Sequence, residues 1–384
     1  MSDDKHAPLA PSSAARRMAC AGSRALEAAY PDEDTPHARE GDAAHWCAAL
    51  ILELNNDEYD FQDTSNGIAN NGEQITQEMW EGAKLYAEAV RGVTGYNPEY
   101  KLVIEERVNI YNIHPECWGT PDAWYYNYME NTLHIWDYKY GHKFVEVTEN
   151  WQLIEYAAGI INRLGASFND DTFKIIFYIV QPRSYHRDGP IRRWRISFKG
   201  LLLYFERLRT SESAAMEAGA QCRTNPDCSW CTASHVCEAL QRAVLSAVDY
   251  TSTNVPFDLP PNAVGGELRK LRHARELMDA RINGLSEQAS SLLKSGKRVP
   301  YFKLESSPGR EKWKKPAEEI AKLGELLNVP LRKPTEVITP KQAIKAGLTP
   351  ELVHKYAETL NGALKLTETN DTLTLKLFGE RNGN

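Results

Sequence analysis

Leu133-His134-Ile135-Trp136-Asp137-Tyr138-Lys139-Tyr140-Gly141 is the stretch whose reading decides the fold. Leu133, Ile135 and the surrounding aromatic residues have strand propensity and Gly141 ends the run, so the segment reads as a buried strand. Side chains alternate across a strand, so Asp137 and Lys139, two apart, face the same way. A carboxylate and an ammonium held together at a strand end can bind a hard cation and orient a water beside it. Taken alone, an Asp-x-Lys pair is most simply a surface ion pair. The rest of the chain decides between the two.

A chain of 384 residues has room for two or three domains and a sizeable core. Hydrophobic residues at 42% and charged residues at 25% are those of a soluble globular protein. No apolar run approaches the ~20 residues of a membrane helix. Met1 to Ser13 lacks the apolar stretch of a signal peptide, so residues 1–11 read as a disordered lead and the protein as cytoplasmic. No repeat is visible at solenoid or propeller periods. The net charge of −7 hides an asymmetry: residues 261–384 hold 22 Lys+Arg against 15 Asp+Glu, leaving 23 against 37 in the first 260. A basic tail can contact nucleic acid, and an acidic body can attract divalent cations.

The pattern predicts short helical pieces over Ser12–Tyr30, then helices over 38–54 and 76–90 separated by a polar loop at 55–73. The period then changes from 3.6 to 2. Strands are expected over 101–113, 118–128 and 132–140, the last two joined as a hairpin at Glu130-Asn131. An amphipathic helix over 149–163, an apolar strand over 173–181, a basic loop Arg183–Arg193, its strand continuation Trp194–Ser197 and a helix over 201–217 follow. A linker at 256–261 leads to a long helix over 266–295, a basic stretch, two helical pieces and a terminal hairpin at Asn370-Asp371. This order predicts an α/β core with a mixed central sheet flanked by helices, over 12–255, and a C-terminal α+β extension over 256–384.

Asp122, in Gly119-Thr-Pro-Asp, sits one strand before Asp137. Two acids on neighbouring hairpin strands can share one or two Mg²⁺ or Mn²⁺ ions, with Lys139 steadying or deprotonating a water. Gly-Thr-Pro-Asp122, Trp-Asp137-Tyr-Lys139-Tyr-Gly, Gln152-Leu-Ile-Glu-Tyr156 and the upstream Gly41-Asp-Ala-Ala-His45 together resemble the motifs of the PD-(D/E)XK nucleases, RecB-like branch. The resemblance implies a restriction-endonuclease-like core in which His45, Asp122, Asp137 and the main-chain carbonyl of Tyr138 hold the ions. It makes Lys139 the catalytic lysine and puts Gln152 and Tyr156 at the substrate phosphate or behind Lys139. Glu105 and Glu106 are further carboxylates on the preceding strand. Being adjacent they face opposite ways, and a plain surface acid is the simpler role for either.

Seven Cys in a chain of this kind do not form a disulfide framework. Cys228-Ser-Trp-Cys231 followed by Cys237 is C-x₂-C-x₅-C and needs one more thiolate. Cys222 would complete a local zinc site, and Cys20 is the distant alternative. Iron–sulfur RecB-like nucleases, the group of the AddB subunit and the CRISPR-associated exonucleases, carry one Cys upstream of the histidine helix and three after the core. That likeness implies a [4Fe–4S] cluster on Cys20, Cys228, Cys231 and Cys237, with Cys222 in reserve. Cys47 and Cys117 read as core or surface thiols.

A phage-encoded family of such nucleases is similar in its Cys-x-Gly-Ser opening and in the triplet Gln181-Pro-Arg183. The basic loop, with Arg183, His186, Arg187, Arg192 and Arg193, is a candidate DNA contact, and Trp313 among Lys312, Lys314 and Lys315 a second. The resemblance implies a metal-dependent deoxyribonuclease, an exonuclease of phage recombination or DNA processing, with DNA and a phage single-strand annealing or binding protein as partners and no membrane. Two rival readings are a nuclease fold retained only for binding DNA or protein, and a zinc-stabilised DNA-binding protein.

Overall fold

The stretch quoted above forms β5 (Thr132–Tyr138), buried along its whole length at the centre of a five-stranded sheet. The computed structural model describes residues 7–30, 35–54, 67–95, 102–165, 172–251 and 259–305, together with Lys322. The chain divides into two units, Met1–Leu304 and Glu305–Asn384, and every element named here belongs to the first. Its helices are α1 (Ala14–Ala19), α2 (Ser23–Glu27), α3 (Pro36–Leu54), α4 (Gln77–Thr94), α5 (Trp151–Leu164), α6 (Phe198–Met216), α7 (Glu238–Thr251) and α8 (Pro261–Lys294). The other strands are β1 (Val103–Ile104), β2 (Val108–Asn109), β3 (Trp118–Gly119), β4 (Ala123–Asn127), β6 (Lys174–Val180) and β7 (Ile191–Ser197).

The architecture is α/β. The sheet runs β1-β4-β5-β6-β7, antiparallel throughout except for the parallel pair β5–β6, whose crossover is α5. Alternation along the strands sorts two cores. Leu133, Ile135, Ile175, Phe177 and Ile179 pack with Leu153, Ile154 and Ile160 of α5 and with Leu201 and Phe205 of α6. Trp136, Tyr138, Tyr178 and Val180 pack with Ala44, Cys47 and Ala48 of α3 and with Trp80 and Tyr86 of α4. The sheet is thus flanked by helices, as the sequence order predicts.

Several boundaries differ from expectation, each for a local reason. The strand expected over 101–113 is broken, because Glu105 adopts a φ of +46° that no strand accommodates. β1 therefore pairs with β4, whereas β2 pairs with β3 in a separate ribbon. The next expected strand is interrupted at Pro121-Asp122, where proline has no N–H to give. β7 begins at Ile191, paired with Val180, so Arg192 and Arg193 lie in a strand rather than in the basic loop.

Ala7–Pro11, expected to be disordered, are anchored. Leu9 is 0% exposed in the core under α5, and its N–H donates to Glu116 O at 3.3 Å. At the other end, α7 occupies residues left unassigned, and α8 starts at Pro261 because proline suits the first helical turn. Leu277 and Ala280 of α8 pack with Cys228, Cys237 and Leu240, so α8 belongs with the cysteine segment and the first unit ends near Leu304 rather than at 255. Trp313, the later helical pieces and the terminal hairpin lie outside the described residues. Among the described residues no helix is long and apolar enough to cross a membrane.

Candidate active site

Asp137 continues the β5 face that carries Leu133 and Ile135, so it points to the α5 side of the sheet near the strand's carboxyl end. It is 2% exposed. Lys139 follows on the same side, its main-chain N–H held by Val180 O at 2.9 Å. The ammonium stands 3.1 and 2.9 Å from the two Asp137 carboxylate oxygens and donates to Gln152 Oε1 at 3.0 Å. Gln152 Nε2 reaches Tyr156 OH at 3.3 Å, one helical turn along α5. Asn150 caps α5 by accepting from Leu153 N–H, which fixes where Gln152 enters the site. The sequence-derived chain Asp137–Lys139–Gln152–Tyr156 is therefore continuous in space.

The other half comes from across the sheet. Ala123 pairs with Trp136, which sets Asp122 beside Asp137 at the break between β3 and β4. Asp122 Oδ2 accepts the Tyr138 N–H at 2.5 Å, and Asp122 Oδ1 lies 3.3 Å from His45 Nδ1 of α3. The Tyr138 ring packs edge-on against His45, with centroids 5.4 Å apart, so His45 is oriented from two sides. Gly119, the last residue of β3, leaves no room for a side chain. A Cβ there would meet Pro11 Cγ at 2.8 Å and Tyr156 Cε1 at 2.9 Å.

Glu105, rather than Glu106, joins this set. The left-handed backbone that breaks the strand lets its N–H donate to Asp122 O, and ligand atoms of His45, Glu105 and Asp122 all lie within 4.8 Å of one another. Glu106 is turned away to Arg163 at 2.5 Å. Tyr86 of α4 was invisible to motif reasoning. Its buried hydroxyl lies within electrostatic reach of Asp122, Glu105 and Asp137 and has no hydrogen-bond partner among the described residues.

The electrostatics fit a divalent cation. Burial, reinforced by the Asp122 charge, pushes Asp137 up to about 6 in spite of Lys139. Burial and Asp122 push Glu105 up to about 7. Burial alone would raise Asp122, but His45, Lys139 and the Tyr138 N–H hold it below the ordinary carboxylate range. His45, which burial would depress, is lifted to about 9 by Asp122. Lys139 is likewise raised, Asp137 and Asp122 outweighing burial. Three carboxylates crowded this closely repel one another, and a hard cation would relieve that repulsion. His45, Glu105, Asp122 and Asp137 are the residues that could hold it, beside Tyr138 at the strand end.

The cysteines form a second centre. Cys20, Cys222, Cys228, Cys231 and Cys237 line one cavity, and all seven thiols of the chain are free. Arg223 N–H donates to Cys20 Sγ at 3.3 Å and Asn225 N–H to Cys228 Sγ at 3.4 Å. Cys222 touches Cys20 and Cys237, whereas Cys231 lies against Glu27 and Arg16. Burial pushes both Cys222 and Cys231 up to about 12. Among the described residues, no three of these sulfurs lie as close together as the ligand atoms of His45, Glu105 and Asp122. The donor set suits a thiolate-bound metal or cluster, since coordination would deprotonate the thiols outright. Gly22 packs so tightly against Ala220 O and Cys222 N, each 2.6 Å from where a Cβ would be, that the Cys20 arm and the later cysteines are fixed together. Cys47 and Cys117 are core thiols on opposite faces of the sheet.

The basic residues divide. Arg183 pairs with Glu40 at 2.9 Å and Glu78 at 3.2 Å and covers the Tyr140 ring, so it braces α3 and α4. Arg192 is 5% exposed and donates to Val145 O and Gln181 Oε1, so its role is inside the fold. Both arginines were expected at DNA, and the carboxylates and carbonyls that engage them come from distant segments. Arg187 and Arg193 are exposed, and His186 stacks on Phe144. Residues 6–374 match the family described as "Protein of unknown function (DUF2800)", and the chain belongs to that family.

Proposed function

We propose that the protein is a metal-dependent DNA nuclease of the PD-(D/E)XK superfamily, RecB-like branch, hydrolysing phosphodiester bonds with Mg²⁺ or Mn²⁺. One observation carries the reading. Lys139 is held between the Asp137 carboxylate and Gln152 at the same sheet end where His45, Glu105 and Asp122 converge. A structural ion pair does not require two further carboxylates and a histidine converging beside it, because like charges held this close repel one another.

When bound, the divalent ion supplies Lewis-acid polarisation of the phosphate oxygens. The chain's own groups do the rest. His45, Glu105, Asp122 and Asp137 bind and orient. Lys139 holds its proton on Nζ, raised by Asp137 and Asp122, and so steadies negative charge developing on phosphorus. Gln152, backed by Tyr156, fixes that ammonium in place. An exonuclease of phage recombination or DNA processing, acting in the cytoplasm with a single-strand annealing or binding protein, is the role that the motif resemblance favours.

For the thiol cavity we propose a structural [4Fe–4S] cluster on Cys20, Cys228, Cys231 and Cys237. It would close a loop of some two hundred residues between the chain's first helices and its cysteine segment. The local Cys222 favours zinc as the second reading, and iron, sulfide and zinc analysis of anaerobically purified protein separates the two. For the nuclease reading, Asp137→Ala and Lys139→Ala should each abolish Mg²⁺- or Mn²⁺-dependent DNA cleavage without unfolding the chain. Full activity in either purified variant would overturn it.

A further inference from the structure

The loop that leaves the catalytic strand runs from Lys139 to Val145 and is held rigidly. Gln181, at the end of β6, donates to Gly141 O at 2.9 Å and to Lys143 O at 2.6 Å and accepts from Val145 N–H at 3.2 Å. Arg192 closes the same loop through Val145 O. On its outer side the loop meets the cysteine segment, because the Lys143 ammonium lies 3.3 Å from the centroid of the Trp230 ring. Trp230 stands in the turn between Cys228 and Cys231 and is 51% exposed. Its carbonyl is fixed by Arg16 at 3.0 Å, so the backbone carrying it is pinned as well.

A tryptophan held this way has a cation over its ring and about half of its surface exposed to solvent. Beside it the same loop carries Phe144, stacked on His186 at 4.8 Å and covered by the Arg192 guanidinium at 4.6 Å, and the exposed Arg187 follows His186, 3.7 Å from the carboxylate of Asp188. Aromatic faces interleaved with cations match a strand of unpaired bases joined by phosphates, since a base in a duplex has both faces already stacked.

We infer that Trp230 and Lys143, with His186 and Arg187, form the surface that takes single-stranded nucleic acid leading to Lys139, so that the cysteine segment binds substrate directly. The inference rests on the nuclease reading and names its substrate class. Trp230 supplies a stacking face, Lys143 keeps that face in place and offers charge to the adjoining phosphate, and Arg187 extends the cationic rim.

The test is fluorescence anisotropy with the full-length, metal-loaded chain in Ca²⁺, using labelled oligodeoxythymidylate, oligouridylate and a blunt DNA duplex. Metal content and melting temperature are measured on every variant. Trp230→Ala should weaken single-strand binding by about tenfold, the scale of one lost base stack. Trp230→Phe should keep most of the affinity, and Lys143→Ala should reduce the salt slope by about one phosphate contact. The two single strands show whether DNA or RNA is preferred.

Binding by Trp230→Ala within twofold of the parent's, together with a salt slope in Lys143→Ala equal to the parent's, would overturn the inference. So would an equal loss on the duplex. Should Trp230→Ala lose metal, the salt slope of Lys143→Ala decides alone. A parent that cuts DNA while Trp230→Ala binds it normally and Lys143→Ala keeps the parent's salt slope sinks only this inference. A parent that neither binds nor cuts sinks the nuclease reading with it.

Discussion

Arg17 gives a prediction whose size follows from the structure. Its buried guanidinium bonds Glu212 at 2.6 Å, Glu155 at 3.4 Å, Ala10 O at 2.8 Å and Ser13 Oγ at 3.1 Å. One side chain thus ties the N-terminal arm, three residues before Cys20, to α5 and α6. Arg17→Met keeps most of the apolar stem but leaves the fully buried acidic pair Glu155 and Glu212 without its cation. Breaking such a pair costs roughly 3–5 kcal/mol. At roughly 1–2 °C per kcal/mol for a chain of this size, the melting temperature should fall by about 5 °C. Combining Arg17→Met with Glu155→Gln and Glu212→Gln should restore most of the loss, because a neutral network has no stranded charge. Differential scanning calorimetry at pH 7 is the assay. A single variant within about 1 kcal/mol of the parent, or a triple variant no better than the single one, would refute the reasoning.

Glu155 adds a pH dependence. Burial raises its pKa well above the ordinary carboxylate value and Glu212 adds to that, against Arg17, so the protonated form is favoured in the folded chain. That contribution is full at acid pH and is lost as pH rises through the raised folded value. Glu155→Gln removes the loss, and its melting temperature should gain on the parent's as pH is raised from 4 toward 8. Glu105→Gln should weaken Mn²⁺ binding by about tenfold or more in calorimetric titration, by comparison with the 10–100-fold cost of losing even an outer-shell partner, whereas Glu106→Gln should not. Cys20→Ser and Cys231→Ser should lower the bound iron per chain and Cys222→Ser should leave it at the parent level, whereas loss of bound zinc in Cys222→Ser and not in Cys20→Ser would favour the zinc reading.

The core of the site was legible because it lies on regular elements. Period-two alternation put Asp137 and Lys139 on one face, the Asn131 turn set the hairpin register, and helical spacing aligned Gln152 with Tyr156. Glu105 escaped because its side depends on a left-handed residue that is not glycine, which breaks the strand and voids the parity rule. Arg183 and Arg192 were read from local basicity alone, yet Glu40, Glu78 and Val145 engage them from far along the chain or across the sheet. The gathering of Cys20 with the later four cysteines is non-local and was reached only through family likeness. The helix α7 and the early start of α8 were hidden by proline-rich composition between them, which resembles a linker even where helices flank it.

The measurement closest to the central claim is cleavage of end-labelled DNA by the Mn²⁺-loaded parent and by Lys139→Met, with folding of both confirmed by their melting curves. The account predicts strand scission by the parent, none on addition of a chelator, and none by Lys139→Met at the same protein concentration. Cleavage by Lys139→Met at the parent's rate, or no cleavage of single- or double-stranded DNA by the loaded parent, would contradict it.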